Sequence, residues 1–335
     1  MNIKFLKAGA GDSILIHHNN KNILIDGGND SSYLIKELTT IYNNKEYLDL
    51  LIITHHDDDH IKGVIDILKE LENGYFGQSK DFIKKVYFNS PRLILNKIVE
   101  KDEQLLSYLQ AYEVENTLIR LKIDSQYIIT NNSNSLEFDD MSLSFLSPKE
   151  SDLEKYSTDP KVFLSCQTKG DWETPMSLLD RHIDDKSQDK SLSNRSSIVI
   201  LLQHKAKKIL LTGDTTPDRL AEIIDELYIK NNNNPILFDY VKLPHHGSYR
   251  NLNKVILSKI NCLNFIITTN GTNSYLPDKR ALLKIFKYMA RKKTDPINFI
   301  FNYGEVIGLL NVKFEEKKKY NFKLKPNNEN YGYVI

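Results

Sequence analysis

Cysteine is scarce in this chain: Cys166 and Cys262 are the only two in 335 residues. Two thiols build no disulfide framework, so stability must come from an apolar core; the pair fits a reducing compartment, as packing residues. Long apolar runs are missing as well. No stretch approaches the roughly 18 residues that would span a bilayer, and the N-terminus enters a strand pattern without signal-peptide architecture. A cytoplasmic protein with no membrane partner is therefore expected. An excess of one charge is also absent. The formal net charge is +1, which leaves no global basic field to gather nucleic acid. The local basic clusters, Lys205 to Lys208, Arg291 to Lys293 and Lys317 to Lys319, read as solvated faces.

What is present is concentrated at one place. Leu51-Ile52-Ile53-Thr54 is an apolar run that ends in His55-His56-Asp57-Asp58-Asp59-His60, all of them metal-competent. Three aspartates and three histidines at the end of a buried strand need a compensating charge, which one or two divalent cations supply most simply. Three further segments have the same form: Ile23-Leu24-Ile25 ends in Asp26-Gly27-Gly28, Ile209-Leu210-Leu211 in Thr212-Gly213-Asp214, and Tyr240-Val241-Lys242-Leu243 in Pro244-His245-His246-Gly247-Ser248. Together they predict a metal site at one edge of layered sheets.

In this order, with Gly11-Asp12-Ser13 ahead of them, these motifs resemble the metallo-β-lactamase fold hydrolases. The His55-x-Asp57-x-Asp59-His60 form is closest to the branch typified by the hydrolase domain of the competence protein ComEC. The resemblance covers roughly residues 1–70, 140–150 and 194–280. It implies an α/β fold, a four-layer αββα sandwich, as one domain over 1–335, and two divalent ions, Zn²⁺ or Mn²⁺ with Mg²⁺ as an alternative. His55 and Asp57 would serve the first ion, Asp59 and His60 the second, and Asp214 both. One of His245 and His246 would complete the second, and the other would contact substrate or donate a proton. Asp59, His245 and His246 are the catalytic candidates. Asp12, Ser13, Asp26, Asn194, Lys242 and Ser248 are expected around the ligands or against substrate, with Lys242 either pairing with phosphate or pointing to solvent. His56 and Asp58 alternate with the ligands and are expected to face away.

The pattern departs from the common family form in three places, the first being Asp57 where the usual second histidine of the motif stands. No motif between the halves supplies the further histidine that many members place on the first ion; His182 is the only histidine in that stretch. The branch's late Asn-x-Tyr-x-His-Pro element reads Asn273-Ser274-Tyr275-Leu276-Pro277, without its histidine. An oxygen-rich first site favours harder ions. The implied activity is phosphodiester hydrolysis by a metal-bridged hydroxide, with nucleic acid among the substrates the resemblance admits. The competing readings are hydrolysis of a small-molecule ester, lactone or β-lactam, and an effector or accessory subunit of a bacterial defence system. Its protein partner would dock on inserted helices at 92–125 or on the Tyr-rich, basic C-terminal tail.

Elsewhere the patterning predicts strands at Ile3 to Leu6, Ser13 to His17, Val86 to Asn89, Leu136 to Phe138, Leu143 to Leu146, Ser197 to Leu202, Phe265 to Thr268, and near Phe299 and Leu309. It predicts helices at Ser31 to Tyr42, Ile61 to Leu71, Leu220 to Leu227, Leu252 to Ile260 and Lys279 to Met289. Residues 149–193 are polar and aperiodic, and read as a long loop or partly disordered lid.

Overall fold

The computed structural model describes residues 1–77, 79–90, 106–158, 170–184, 187–272, 275–292 and 294–335. Its strands are β1 (Asn2–Leu6), β2 (Ile14–His18), β3 (Lys21–Ile25), β4 (Leu50–Ile53), β5 (Lys85–Phe88), β6 (Asp124–Gln126), β7 (Leu136–Phe138), β8 (Met141–Ser147), β9 (Val199–His204), β10 (Lys207–Leu211), β11 (Ile236–Phe238), β12 (Tyr240–Lys242), β13 (Ile260–Cys262), β14 (Asn264–Ile267), β15 (Ile297–Phe301), β16 (Phe322–Lys325) and β17 (Gly332–Val334). One sheet runs β17-β1-β2-β3-β4-β5-β6 and the other β16-β15-β14-β12-β10-β9-β8-β7, with β11 and β13 forming a small separate pair.

The central strands of both main sheets are apolar on both faces, because both faces are covered there. In β3, Ile23 and Ile25 point into the space between the sheets, where they meet Phe145, Ile200 and Leu211 of the second sheet. Leu24 between them points outward, to the layer that holds Leu34, Val64 and Leu118. Those three residues lie on the helices Ser32–Asn43, Asp58–Glu72 and Leu106–Arg120. On the far side, the helices Pro217–Lys230 and Lys279–Tyr288 pack Leu220, Ile223, Leu282 and Ile285 against Leu210, Phe265 and Phe299. The result is helix, sheet, sheet, helix: the four-layer sandwich that the motifs implied.

The topology brings the strand ends that carry the candidate ligands together. β3, β4 and β5 are parallel, and so are β10, β12, β14 and β15. Their C-terminal ends therefore share one edge, where open α/β sheets carry their sites. Backbone bonds Ile198 N to Thr54 O (3.0 Å) and Asn270 N to Gly9 O (2.9 Å) join the two sheets there.

Three expectations change. Leu309 ends a helix, Glu305–Leu309, and not a strand; β15 and β16 are parallel, and a parallel pair needs a crossover, usually helical. The helix expected over Leu252 to Ile260 covers only Lys254–Leu257, since Ile260 is claimed by β13 pairing with β11. The polar stretch 149–193 contains the helices Glu150–Thr158, Met176–Leu179 and Leu192–Arg195. It also buries Trp172, Met176 and Ile183 against the second sheet's outer layer; widely spaced anchors leave no periodic signal. Residues 159–169 and 185–186 lie outside the described residues, as do 92–105 of the expected helical insertion and Asn273 and Ser274 of the late element.

Candidate metal centre

The loop after β4 enters the helix Asp58–Glu72 through Asp57, and Asp58 and Asp59 occupy its first turn, where the helix dipole favours negative charge. The helix is held close to the sheet by two glycines. A Cβ on Gly63 would lie 2.1 Å from Gly27 O, and one on Gly11 would lie 1.7 Å from Asp59 O. The ligand loop thus sits where only glycine backbone fits beside it.

Asp59, His60, Asp214 and His246 present ligand atoms that all lie within 4.8 Å of one another. His60 Nε2 is 3.4 Å from Asp214 Oδ1 and 4.0 Å from Asp59 Oδ1. His246 Nε2 is 3.1 Å from Asp59 Oδ2 and 3.3 Å from Asp214 Oδ2. His245 Nε2 lies further out, 3.9 Å from Asp214 Oδ2, with its side chain 30% exposed. His245 and His246 both take left-handed backbone, φ 47° and 52°. Such strain in non-glycine residues costs about 1–3 kcal/mol each and clusters at functional sites.

Each of these three imidazoles is backed by a carboxylate on its other nitrogen. His60 Nδ1 donates to Asp26 Oδ2 at 2.8 Å. His245 Nδ1 lies 3.2 Å from Asp189 Oδ2, and His246 Nδ1 lies 3.4 Å from Asp12 Oδ1. For His60 and His245 this arrangement fixes which nitrogen faces the centre, as ligand histidines require, whereas His246 Nδ1 makes no hydrogen bond. Asp26 also accepts from Thr54 N (2.7 Å) and Thr54 Oγ1 (2.6 Å). Thr54 Oγ1, its proton committed to Asp26, accepts from His55 Nδ1 at 3.0 Å. His55 therefore turns Nε2 toward Asp57, 3.6 Å from Oδ2.

A cation fits this pocket. The Nε2 atoms of His55 and His60 are buried without a hydrogen-bond partner and face carboxylates. Orphaned buried lone pairs beside anions are costly unless a cation joins them. The electrostatics agree. Burial pulls the His60 imidazolium down, but Asp214, Asp26 and Asp59 outweigh it and hold its pKa well above the usual value. Burial raises the Asp214 carboxyl, but His246, His60, His245 and Lys242 bring it well below the carboxylate range.

The remaining sequence candidates are placed as follows. Lys242 is fully buried and points neither to solvent nor to an open substrate face: its Nζ is 2.5 Å from Asp12 Oδ2 and 3.4 Å from Asp214 Oδ1. β12 is an interior strand of a covered sheet, so that face has no solvent to reach. Ser248 caps the turn Tyr249–Asn251. Ser13 is buried, and its carbonyl accepts from Leu6 N at 2.9 Å. Asn194 donates to Asp189 Oδ2 at 2.7 Å. Asp57 accepts from Ser193 Oγ at 2.6 Å. Asp58 turns away and accepts from Gln110 at 2.6 Å, and His56 packs its ring 4.9 Å from Tyr108. His182 is exposed on the short turn Asp180–His182 and joins no ligand. Asp189 was not foreseen; it stands in the aperiodic segment, and only the fold brings it to His245, Asn194 and Asn251 (2.9 Å).

Residues 6–86 match the family model described as the Metallo-beta-lactamase superfamily. No curated protein matches the chain. Among solved structures it is similar to the metallo-beta-lactamase fold protein YhfI from Bacillus subtilis, at 13% identity and TM-score 0.45, over 100% of this chain and 98% of that one. It is similar to Zn(2+)-bound PqqB from Methylobacterium extorquens, at 10% identity and TM-score 0.45, over 100% and 99%. A third is Tm1679, a metal-dependent hydrolase of the beta-lactamase superfamily, at 10% identity and TM-score 0.42, over 100% and 98%.

Proposed function

We propose that the protein is a metal-dependent hydrolase that cleaves phosphodiesters, in the manner of the branch whose His-x-Asp-x-Asp-His motif it shares. The observation that carries the reading is the convergence of His60, His245 and His246 on Asp214, each with its outer nitrogen against a carboxylate. Asp59, His60, Asp214 and His246 would hold one ion, and His55, Asp57 and Asp214 another. Divalent cations there supply Lewis acidity and make water nucleophilic near neutral pH.

The chain's own residues do the rest. Asp26 and Asp189 keep His60 and His245 from rotating. Asp59, whose Oδ2 is 3.1 Å from His246 Nε2, would orient the attacking water. His245 Nε2, at the rim, is placed to give a proton to the leaving oxygen. Lys242 neutralises Asp12 and Asp214 inside the protein, so the carboxylates do not repel an anionic substrate at full strength. The oxygen-rich set at His55 and Asp57 favours Mn²⁺ or Mg²⁺ chemistry on phosphoryl groups over imidazole-rich sites built for acyl transfer.

The test is hydrolysis of single-stranded and duplex DNA, RNA and bis(p-nitrophenyl) phosphate with Mn²⁺, Mg²⁺, Zn²⁺ or chelator. An Asp59→Ala/His60→Ala chain serves as control. Metal-dependent cleavage that the control lacks supports the reading and identifies the substrate. Bound metal with no cleavage of any phosphodiester removes it in favour of a small ester or lactone.

A further inference from the structure

A second group of metal-competent side chains lies at the opposite edge of the sandwich. β2 leaves the candidate centre at Ser13 and ends at His18, and β10 starts at Lys207 and runs toward Asp214. Five residues of strand separate the two edges by roughly 17 Å. Three hairpin tips meet there: β2–β3 brings His18, β7–β8 brings Asp140 and β9–β10 brings His204. The first comes from one sheet and the other two from its partner.

The geometry points to a divalent-metal site formed by His18, Asp140 and His204. One ligand atom from each lies within 4.8 Å of the others. His18 Nε2 is 2.8 Å from Asp140 Oδ1, and His204 Nε2 is 3.3 Å from Asp140 Oδ2. Ligands about 2.1 Å from a tetrahedral Zn²⁺ lie about 3.4 Å from one another, so small adjustments admit an ion. The second observation is His18 itself. It is 3% exposed, and neither ring nitrogen makes a hydrogen bond, although Nε2 is beside a carboxylate. A buried imidazole aimed at an anion without bonding to it is a ligand waiting for its cation. The two rings meet edge to face, with centroids 5.0 Å apart. Lys205 Nζ stands 3.7 Å from Asp140 Oδ2, but its side chain is 71% exposed and swings clear when an ion takes its place. Two imidazoles and one carboxylate suit Zn²⁺ or a similar borderline cation better than Ca²⁺ or Mg²⁺. Asp140 is 43% exposed, which leaves the outward coordination positions to water. The ion would pin the two sheets together at the edge far from the candidate centre.

The test uses the full chain, stripped of metal and reloaded with Zn²⁺ or Co²⁺. His204→Ala and Asp140→Asn change tip residues whose side chains are 13% and 43% exposed, and circular dichroism in chelator verifies their folding. The expected result is one fewer tightly bound Zn²⁺ per chain in each variant, with hydrolysis by the other centre retained. In the Asp59→Ala/His60→Ala background, Co²⁺ should still give a visible absorption band, with binding weakened at least tenfold by adding His204→Ala. The proposal is overturned if zinc stoichiometry is unchanged in both tip variants. It is equally overturned if, with the Asp59→Ala/His60→Ala chain folded, Co²⁺ binding is indifferent to His204. His18, Asp140 and His204 would then be an ion-paired cluster only.

Discussion

Asp26 and Asp189 matter through the imidazoles they hold. Each carboxylate orients one histidine, and partners of this kind typically contribute 10–100-fold to metal affinity or activity. Asp189→Ala should therefore lower turnover by about that range and broaden the pH profile, because His245 loses its positioning partner, while the ion held by His60 and His246 stays. Metal analysis beside kinetics separates the two. A different titration governs stability. Burial and the neighbouring Asp171 carboxylate push Asp278 up to about 7 from 3.8. Its folded form keeps a proton that the unfolded form has lost, so this stability is full below 3.8 and disappears as pH rises through 7. Asp278→Asn, which still accepts from Tyr249 N, should gain on the parent chain in Tm between pH 5 and pH 8. A Tm difference that is flat with pH would refute it. Cys262 is fully buried and its thiol is pushed up to about 12, first by desolvation. Alkylating reagents should label its peptide only after denaturation.

Individual elements were legible where one rule governed them. The helix Asp58–Glu72 announces itself through Asp57, its acidic first turn and apolar residues at 61, 64, 65, 68 and 71. The strands before each motif were legible because both faces of the sheets are covered. The elements of 149–193 were not, because single anchors such as Trp172 and Met176 serve a layer built elsewhere. The contact between Gly27 and Gly63 belongs to this scale too. Gly63→Ala should force the helix outward and cost about 1–3 kcal/mol. Because Asp59 and His60 ride on that helix, metal affinity should fall with stability, which calorimetry with and without Zn²⁺ would detect. Equal affinity in a folded variant would show that the helix position does not control the ligands.

Across the whole molecule, the centre closes the gap between the two sheets. Asp59 and His60 follow β4 of one, and Asp214 and His246 follow β10 and β12 of the other. An ion that binds only the folded chain stabilises it by about 2.7 kcal/mol at a hundred times its Kd. Chelation should accordingly lower Tm, and added Zn²⁺ should raise it in a concentration-dependent way. An unchanged Tm on chelation would argue that the carboxylates are already neutralised from within, by Lys242 and protonated histidines.

The sequence alone determined the strand ends and the order of the candidate ligand residues that follow them. These are local properties: an apolar run, a turn residue and a donor side chain are all neighbours in the chain. Only the tertiary structure decided that Lys242 turns inward to Asp12, that Asp189 reaches His245, and that His246 sits deeper than His245. It also decided that His18, Asp140 and His204 meet at all. Each of these depends on which strands pair and how two sheets face each other, and long-range pairing leaves no mark in local spacing.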